Sequence, residues 1–222
     1  MQLNILLTGA SKGIGLAIYE KLREDSSNNI YVIGLTPPTG IQDSMFYRCD
    51  LRFNDQLVQT IEQLKSVVLR FDVIVNNAGY GIFKPISEIK INEWSELINV
   101  NLTTPFYIIS NYIEEMKTAN FGKIINISSD ADFKPFENAA LYCASKYGLL
   151  GLSDSIRLEL KGKNISITTI SPGRVDTYFN GKSPGDRPVS LKPADVAIQV
   201  ANVIKLASTT SIHSIRLQSS LE

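Results

Sequence analysis

The sequence predicts an α/β fold: a seven-stranded, doubly wound parallel sheet with helices on both faces, forming a single domain over residues 1–222. Three observations carry that expectation. Seven short runs of apolar and β-branched residues recur along the chain, amphipathic stretches of helical length separate most of them, and a glycine-rich turn follows the first run directly. A parallel strand covered on both faces never meets water, so it reads as a near-continuous apolar run. Strand-helix alternation supplies the crossovers that parallel pairing needs. Ligands of such sheets bind beyond the carboxyl ends of the strands, which gives motifs at strand ends extra weight.

The first strand, residues 3–7, runs into Thr8-Gly9-Ala10-Ser11-Lys12-Gly13-Ile14-Gly15 and then a helix over 14–24. Glycine at 9, 13 and 15 permits a tight turn and close backbone approach, while free amides and the positive helix end would face an anion. The spacing Gly-x-x-x-Gly-x-Gly departs from the Gly-x-Gly-x-x-Gly fingerprint and is no Walker sequence; taken alone, it also reads as a flexible loop. The second strand, 30–35, leads into Thr36-Pro37, and the third, 45–49, is followed by Asp50-Leu51. A helix over 54–69 precedes the fourth strand, 73–75, which ends in Asn76-Asn77-Ala78-Gly79. A helix over 104–118 then leads to the fifth strand, 123–127, with Ser128 and Ser129 after it. The helix over 140–161 carries Tyr142 and Lys146, the sixth strand covers 165–170, and a helix over 194–206 precedes the last strand, 212–217. Between them, segment 178–193, rich in Gly, Pro and charge, is a candidate substrate-side loop. Trp94 is expected to pack at a helix start, and His213 to lie on the last strand away from the motifs.

With 44% hydrophobic and 20% charged residues, the chain can bury a sizeable core. Lys plus Arg and Asp plus Glu number 22 each, so no net field draws nucleic acid or an anionic membrane; a small-molecule partner is expected. Cys49 and Cys143 are too few for a disulfide framework and stand in no Cys/His cluster, so neither a disulfide nor a metal site is expected. The opening residues lack a basic start, and their apolar run is too short for a signal or a span, which points to the cytoplasm.

Tyr142 and Lys146 stand four residues apart, so a helix stacks phenol and ammonium on one face. A nearby positive charge stabilises the phenolate and lowers the phenol's pKa, making the pair a candidate proton-transfer device. The glycine turn at 8–15, Asn76-Asn77-Ala78-Gly79, Tyr142-x-x-x-Lys146 and Pro172-Gly173 follow in one order over about residues 3–177. Together they resemble the short-chain dehydrogenase/reductase family, in its single-domain oxidoreductase branch with a Rossmann-like fold.

That resemblance implies a catalytic set of Asn101, Ser129, Tyr142 and Lys146. Ser129 is preferred to Ser128 because it lies thirteen positions before the tyrosine, as in the family, and Ser128 would point to the other side of the strand. Asn101 would hold a water that relays protons to the lysine, with Asn99 as the alternative. The resemblance implies cofactor contacts from Gly9, Ser11, Lys12, Gly13, Ile14 and Gly15, and from Thr36 at the end of the second strand. Asp50 and Leu51 would meet the adenine ring, and Asn76, Asn77, Ala78 and Gly79 would line the cofactor. Tyr142 and Lys146 would touch it as well, and Pro172, Gly173, Val175 and Thr177 would meet the nicotinamide.

No carboxylate follows the second strand to repel a 2′-phosphate, and Lys12 could add a favourable charge, so NADP(H) is preferred over NAD(H). The expected reaction is reduction of a carbonyl to an alcohol by hydride transfer, with Tyr142 as general acid. The alternatives are an NAD-dependent alcohol or sugar dehydrogenase and a non-enzymatic NAD(P)-binding redox-sensing regulator. Phe83, Phe133, Phe136, Tyr178 and Phe179 would offer an apolar substrate wall. Asp130 or Asp132 could greet a cationic or polyhydroxylated substrate, or both are solvent-facing loop acids. By analogy with the family, the helices over 104–118 and 140–161 would form a homodimer surface, with a tetramer as the alternative.

Overall fold

The computed structural model describes residues 2–221. Seven strands pair side by side, all parallel, in the order β3-β2-β1-β4-β5-β6-β7. They are β1 (Asn4–Thr8), β2 (Asn29–Gly34), β3 (Phe46–Arg48), β4 (Val73–Asn76), β5 (Gly122–Ile127), β6 (Ile165–Pro172) and β7 (Ser214–Leu217). Six helices make the crossovers: α1 (Gly13–Arg23), α2 (Asn54–Val67), α3 (Ile91–Ile98), α4 (Thr104–Ala119), α5 (Ala140–Glu159) and α6 (Pro193–Lys205). The predicted α/β class, strand count and doubly wound layering are all present.

Side chains alternate across each strand, so each one contributes to two cores. On one face Ile5, Leu7, Val73, Val75, Ile125 and Ile170 pack against α1 and α6 through Ile18, Leu22, Val196 and Val200. On the other, Leu6, Ile74, Ile124 and Ile167 pack against α2 and α4 through Leu57, Ile61, Ile108 and Met116. Proline opens α4 and α6 in their first turns, where its missing N–H costs nothing. Asn120 ends α4 in the left-handed conformation at φ 49°, which asparagine tolerates better than most residues.

The structure differs from the sequence reading in the crossover from β4 to β5. It holds an additional helix, α3, followed by a π-helical turn over Asn99–Thr103 that runs into α4. Trp94 does lie in the first turn of α3, but 41% exposed rather than packed. β7 begins at Ser214, one residue after His213, whose carbonyl accepts a hydrogen bond from the Thr169 amide at 3.0 Å.

Candidate active site

A cleft of ≈ 780 Å³ lies at the carboxyl end of the sheet, bounded by the turn after β1 and the segment after β6. The turn is built with no room to spare. Gly9 has φ +71°, and a Cβ there would stand 2.9 Å from Ala78 Cα; at Gly15 it would stand 1.9 Å from the Gly9 carbonyl oxygen. Asn77 Nδ2 donates to the Thr8 carbonyl at 3.0 Å and the Gly9 carbonyl at 2.8 Å. Thr8 Oγ1 accepts from the amides of Asn77 and Ala78, each at 3.0 Å. Two motifs distant in sequence therefore form one construction. The first turn of α1 carries no acidic side chain, and no side chain caps it, so its amides remain available to an anion. This cradle fits a dinucleotide's diphosphate, and Ser11, Lys12, Gly13 and Ile14 complete its wall.

Toward the sheet edge, Asp50, Leu51 and Gly34 line the cleft. Thr36 does not, contrary to expectation: β2 ends at Gly34, the chain bends at Leu35 and Thr36, and the threonine is exposed outside the wall. The Asp50 carboxylate is occupied by Arg52, whose Nη2 donates at 2.6 Å, and that bond holds the acid below its usual range. The Lys12 ammonium stands 5.7 Å from the centre of the Tyr178 ring, drawn toward the segment after β6. β2 lies on the other side of β1. Tyr80, at the start of the expected wall over 80–83, also lines the cleft; Arg52 and Val100 line it too and escaped the sequence reading, since no motif marks them. Asn76 is buried behind the wall, donating through Nδ2 to Asn126 Oδ1 at 2.8 Å, and does not line the cleft as Asn77, Ala78 and Gly79 do.

At the other end, α5 places Tyr142 and Lys146 on one face, with Nζ 5.8 Å from the phenol ring centre. Lys146 Nζ donates to the Ile127 carbonyl at 3.0 Å. A Cβ on Gly79 would stand 3.3 Å from Asn101 Oδ1 and 3.7 Å from Lys146 Nζ, so both groups converge on that glycine. The Asn101 amide is otherwise employed: Oδ1 accepts from the Tyr80 amide at 3.1 Å, and Nδ2 donates to the Tyr80 carbonyl and to Ser145 Oγ, each at 3.0 Å. Asn99 instead donates to the Arg52 carbonyl at 2.9 Å, at an exposed position. Ser129 Oγ accepts from the Ala131 amide at 3.2 Å and donates to Asp130 Oδ1 at 3.0 Å. Ser128 Oγ is buried with no protein partner.

Burial governs the titration of the pair. It pushes the Tyr142 phenol up to about 12, against the pull of the nearby Ser129 hydroxyl, which lowers it. It brings the Lys146 ammonium down to about 8, opposed by the charge of Asp132. Burial here outweighs the lowering expected from the Lys146 charge. The phenol is held in its acid form.

Pro172, Gly173, Val175 and Thr177 line the cleft, and a Cβ on Gly13 would meet Thr177 Cγ2 at 3.4 Å. Around the phenol, Phe83 stands 5.3 Å from Tyr142, 5.8 Å from Phe136 and 6.1 Å from Phe179, ring centre to ring centre. Tyr178 is also in the wall. Phe133 is not: its ring lies 4.0 Å beneath the Arg216 guanidinium. Asp130 lines the cleft, whereas Asp132 is 1% exposed and accepts from Ser171 Oγ at 2.6 Å, so it is no solvent-facing loop acid. Segment 178–193 is tied to the end of β6. Asp176 accepts from the Gly185 amide at 2.8 Å and from Lys192 Nζ at 3.0 Å, and Arg187 donates to the carbonyls of Val175 and Phe179.

Residues 3–187 match the model of the short chain dehydrogenase family. The chain belongs to that family. It is 33% identical to a 3-oxoacyl-acyl-carrier-protein reductase of Chlamydia trachomatis, over 78% of this chain and 73% of that protein. It is 28% identical to a sepiapterin reductase of Chlorobaculum tepidum, over 96% of this chain and 95% of that one. A metagenomic short-chain oxidoreductase solved in complex with NADP superposes with a TM-score of 0.82 at 30% identity, covering 97% of each chain. As a short-chain dehydrogenase, the protein is an NAD(P)-dependent oxidoreductase. Among the described residues no His/Cys/Asp/Glu group could hold a metal ion, and no helix is long and apolar enough to cross a membrane.

Proposed function

We propose that the protein is an NADP(H)-dependent reductase of a ketone, aldehyde or diketone, with Asn101, Ser129, Tyr142 and Lys146 as its catalytic set. One observation carries the reading: the Tyr142 phenol, with Lys146 5.8 Å from its ring centre, and Ser129 line the same cleft as the diphosphate cradle. A dihydronicotinamide held there by the glycine turn and by Pro172, Gly173, Val175 and Thr177 would supply the hydride and its electron pair. Tyr142 gives its proton to the carbonyl oxygen as the carbon gains the hydride, so C=O becomes CH–OH. Ser129 holds that oxygen in place. The Lys146 ammonium, beside the ring, stabilises the phenolate left behind and steers its reprotonation. Asn101, its amide tied to Tyr80 and Ser145, fixes the π-helical turn against Gly79 and Lys146.

The C. trachomatis and C. tepidum relatives, both named as reductases, support the direction of reaction. The end of β2, which lacks a carboxylate, and the metagenomic relative's NADP support the cofactor choice. The placement of Lys12 against Tyr178 favours the second reading, an NAD-dependent alcohol or sugar dehydrogenase. The reading includes a cytoplasmic location. Exposed Phe106 on α4, and Tyr147 and Leu158 on α5, support a homodimer through those helices.

The test is loss of NADPH absorbance over a panel of diketones, quinones, aldehydes and keto esters, with NADH in parallel and the Tyr142→Phe protein as control. Turnover by the native protein alone, faster with NADPH, is expected. Faster turnover with NADH would move the assignment to the dehydrogenase. Tight cofactor binding with no turnover of any carbonyl would favour a redox-sensing regulator.

A further inference from the structure

Resting on that reading, we infer that Asp130 selects carbonyl substrates bearing a hydroxyl or ammonium on the carbon next to the reacting one, and that such a group releases Ser129 for catalysis.

A serine hydroxyl owns one proton. Here Ser129 spends it on Asp130 Oδ1 at 3.0 Å, while a lone pair accepts from the Ala131 amide at 3.2 Å. In this arrangement Ser129 has no proton to give a substrate oxygen. A bare ketone must break the Ser129 to Asp130 bond and leave the carboxylate without its donor. A ketone with a neighbouring donor replaces that bond: its hydroxyl or ammonium goes to Asp130, and the freed serine proton goes to the carbonyl oxygen. The spacing limits the class. Oγ and Oδ1 are one hydrogen bond apart, so the two substrate groups they receive sit on adjacent carbons.

Asp130 is placed for this role. It lines the cleft with Ser129 and Tyr142, and among the described residues it makes no ion pair. Its neighbour Asp132 is buried on Ser171 and has no access to substrate. Phe83, Phe136 and Phe179 surround the phenol, so the part of the substrate beyond the donor is apolar. The class is then an α-hydroxy or α-amino ketone with an apolar or aromatic tail; in the reverse direction, the corresponding vicinal diol or amino alcohol.

The experiment compares kcat/KM for 2-hydroxyacetophenone and acetophenone, which differ by the one hydroxyl, in the native protein, Asp130→Ala and Asp130→Asn, with NADPH binding by fluorescence as the folding and cofactor control. The native protein should prefer the hydroxyketone by at least about tenfold. In Asp130→Ala the preference should vanish, the hydroxyketone losing about tenfold more kcat/KM than acetophenone. Asp130→Asn, which keeps an acceptor, should retain part of the preference and serves if the alanine protein binds no cofactor. Equal loss on both ketones, or an unchanged ratio in both variants, overturns the inference while leaving the reductase standing. Turnover of neither ketone by a native protein that reduces another carbonyl of the panel overturns this inference alone; turnover of no carbonyl, with NADPH bound, overturns the reductase reading and this inference with it.

Discussion

The two faces of the sheet begin alike and end differently. On the face under α1 and α6, Leu7, Val75, Ile125, Ile127 and Ile170 carry apolar side chains up to the cleft, with the buried Thr168 hydroxyl among them donating to the Ile212 carbonyl. At the same level the face under α5 carries Thr8, Asn76, Asn126 and Thr169, all buried and on neighbouring strands. Asn76 donates to Asn126, Asn126 donates to Ser153 Oγ of α5 at 2.8 Å, and Ser153 donates to the Leu149 carbonyl at 2.7 Å. One face is a foundation, made chiefly by apolar burial. The other gives up apolar contact near its top to a hydrogen-bonded layer, which sets the height and rotation of the helix bearing Tyr142 and Lys146. Directional bonds can do that; non-directional burial cannot.

The largest test of this division is Tyr142→Phe. If the polar face exists for chemistry, turnover should drop by about 10²-fold or more while cofactor affinity and thermal midpoint stay near native, read by absorbance, fluorescence and calorimetry. On the foundation, Ile125→Ala should cost about 2–5 kcal/mol of stability with kcat unchanged in the protein that remains folded, seen in urea unfolding. Asn126→Ala should cost less, about 1–3 kcal/mol, yet lower kcat as well, because it cuts the tie to α5. A kcat loss in Ile125→Ala as large as in Asn126→Ala would erase the distinction.

The pH dependence is subtler. The Lys146 pKa falls from 10.5 to about 8 on folding, so between those values the unfolded chain binds a proton that the native protein lacks. Stability contributed by this group therefore rises with pH through that window, and the penalty is full below about 8. Tyr142 works in the opposite sense. Its phenol goes from 10.0 to about 12, so its contribution is complete below 10 and is lost as pH rises toward 12. Thermal midpoints between pH 7.5 and 10 should show the first trend in the native protein and not in Lys146→Met. The smallest effect is expected at Thr169, whose Oγ1 is buried without a protein partner; Thr169→Val should change stability by under about 1 kcal/mol, in either direction, by the same urea titration.

The strands and most helices were legible in the sequence because burial on both faces writes itself as apolar runs. α3 was not: it is eight residues long, and its start is fixed by Glu93 Oε2 accepting from the Lys90 amide at 2.8 Å, with no Ser, Thr, Asp or Asn to announce it. The glycine turn and the tyrosine-lysine pair were legible because each depends on fixed local spacing. Thr36 was misplaced because the direction of a chain after a strand is decided by a bend that no residue type marks. The opposing shifts of Tyr142 and Lys146 were hidden too, since they come from burial under segments far away in sequence. The same holds for Asp130 and Asp132, two neighbouring acids that the fold sends to opposite fates.

Lys123 stands at the base of the apolar face, buried, its ammonium donating to the carbonyls of Val203 at 3.1 Å and Leu206 at 2.8 Å where α6 ends. It joins the strand that leads to Ser129 with a helix end eighty residues later. During synthesis, which runs from the amino end, that ammonium must wait in water until the end of α6, eighty residues later, has left the ribosome. The catalytic strand is thus made fifth of seven and locked in place only when the sixth helix is complete.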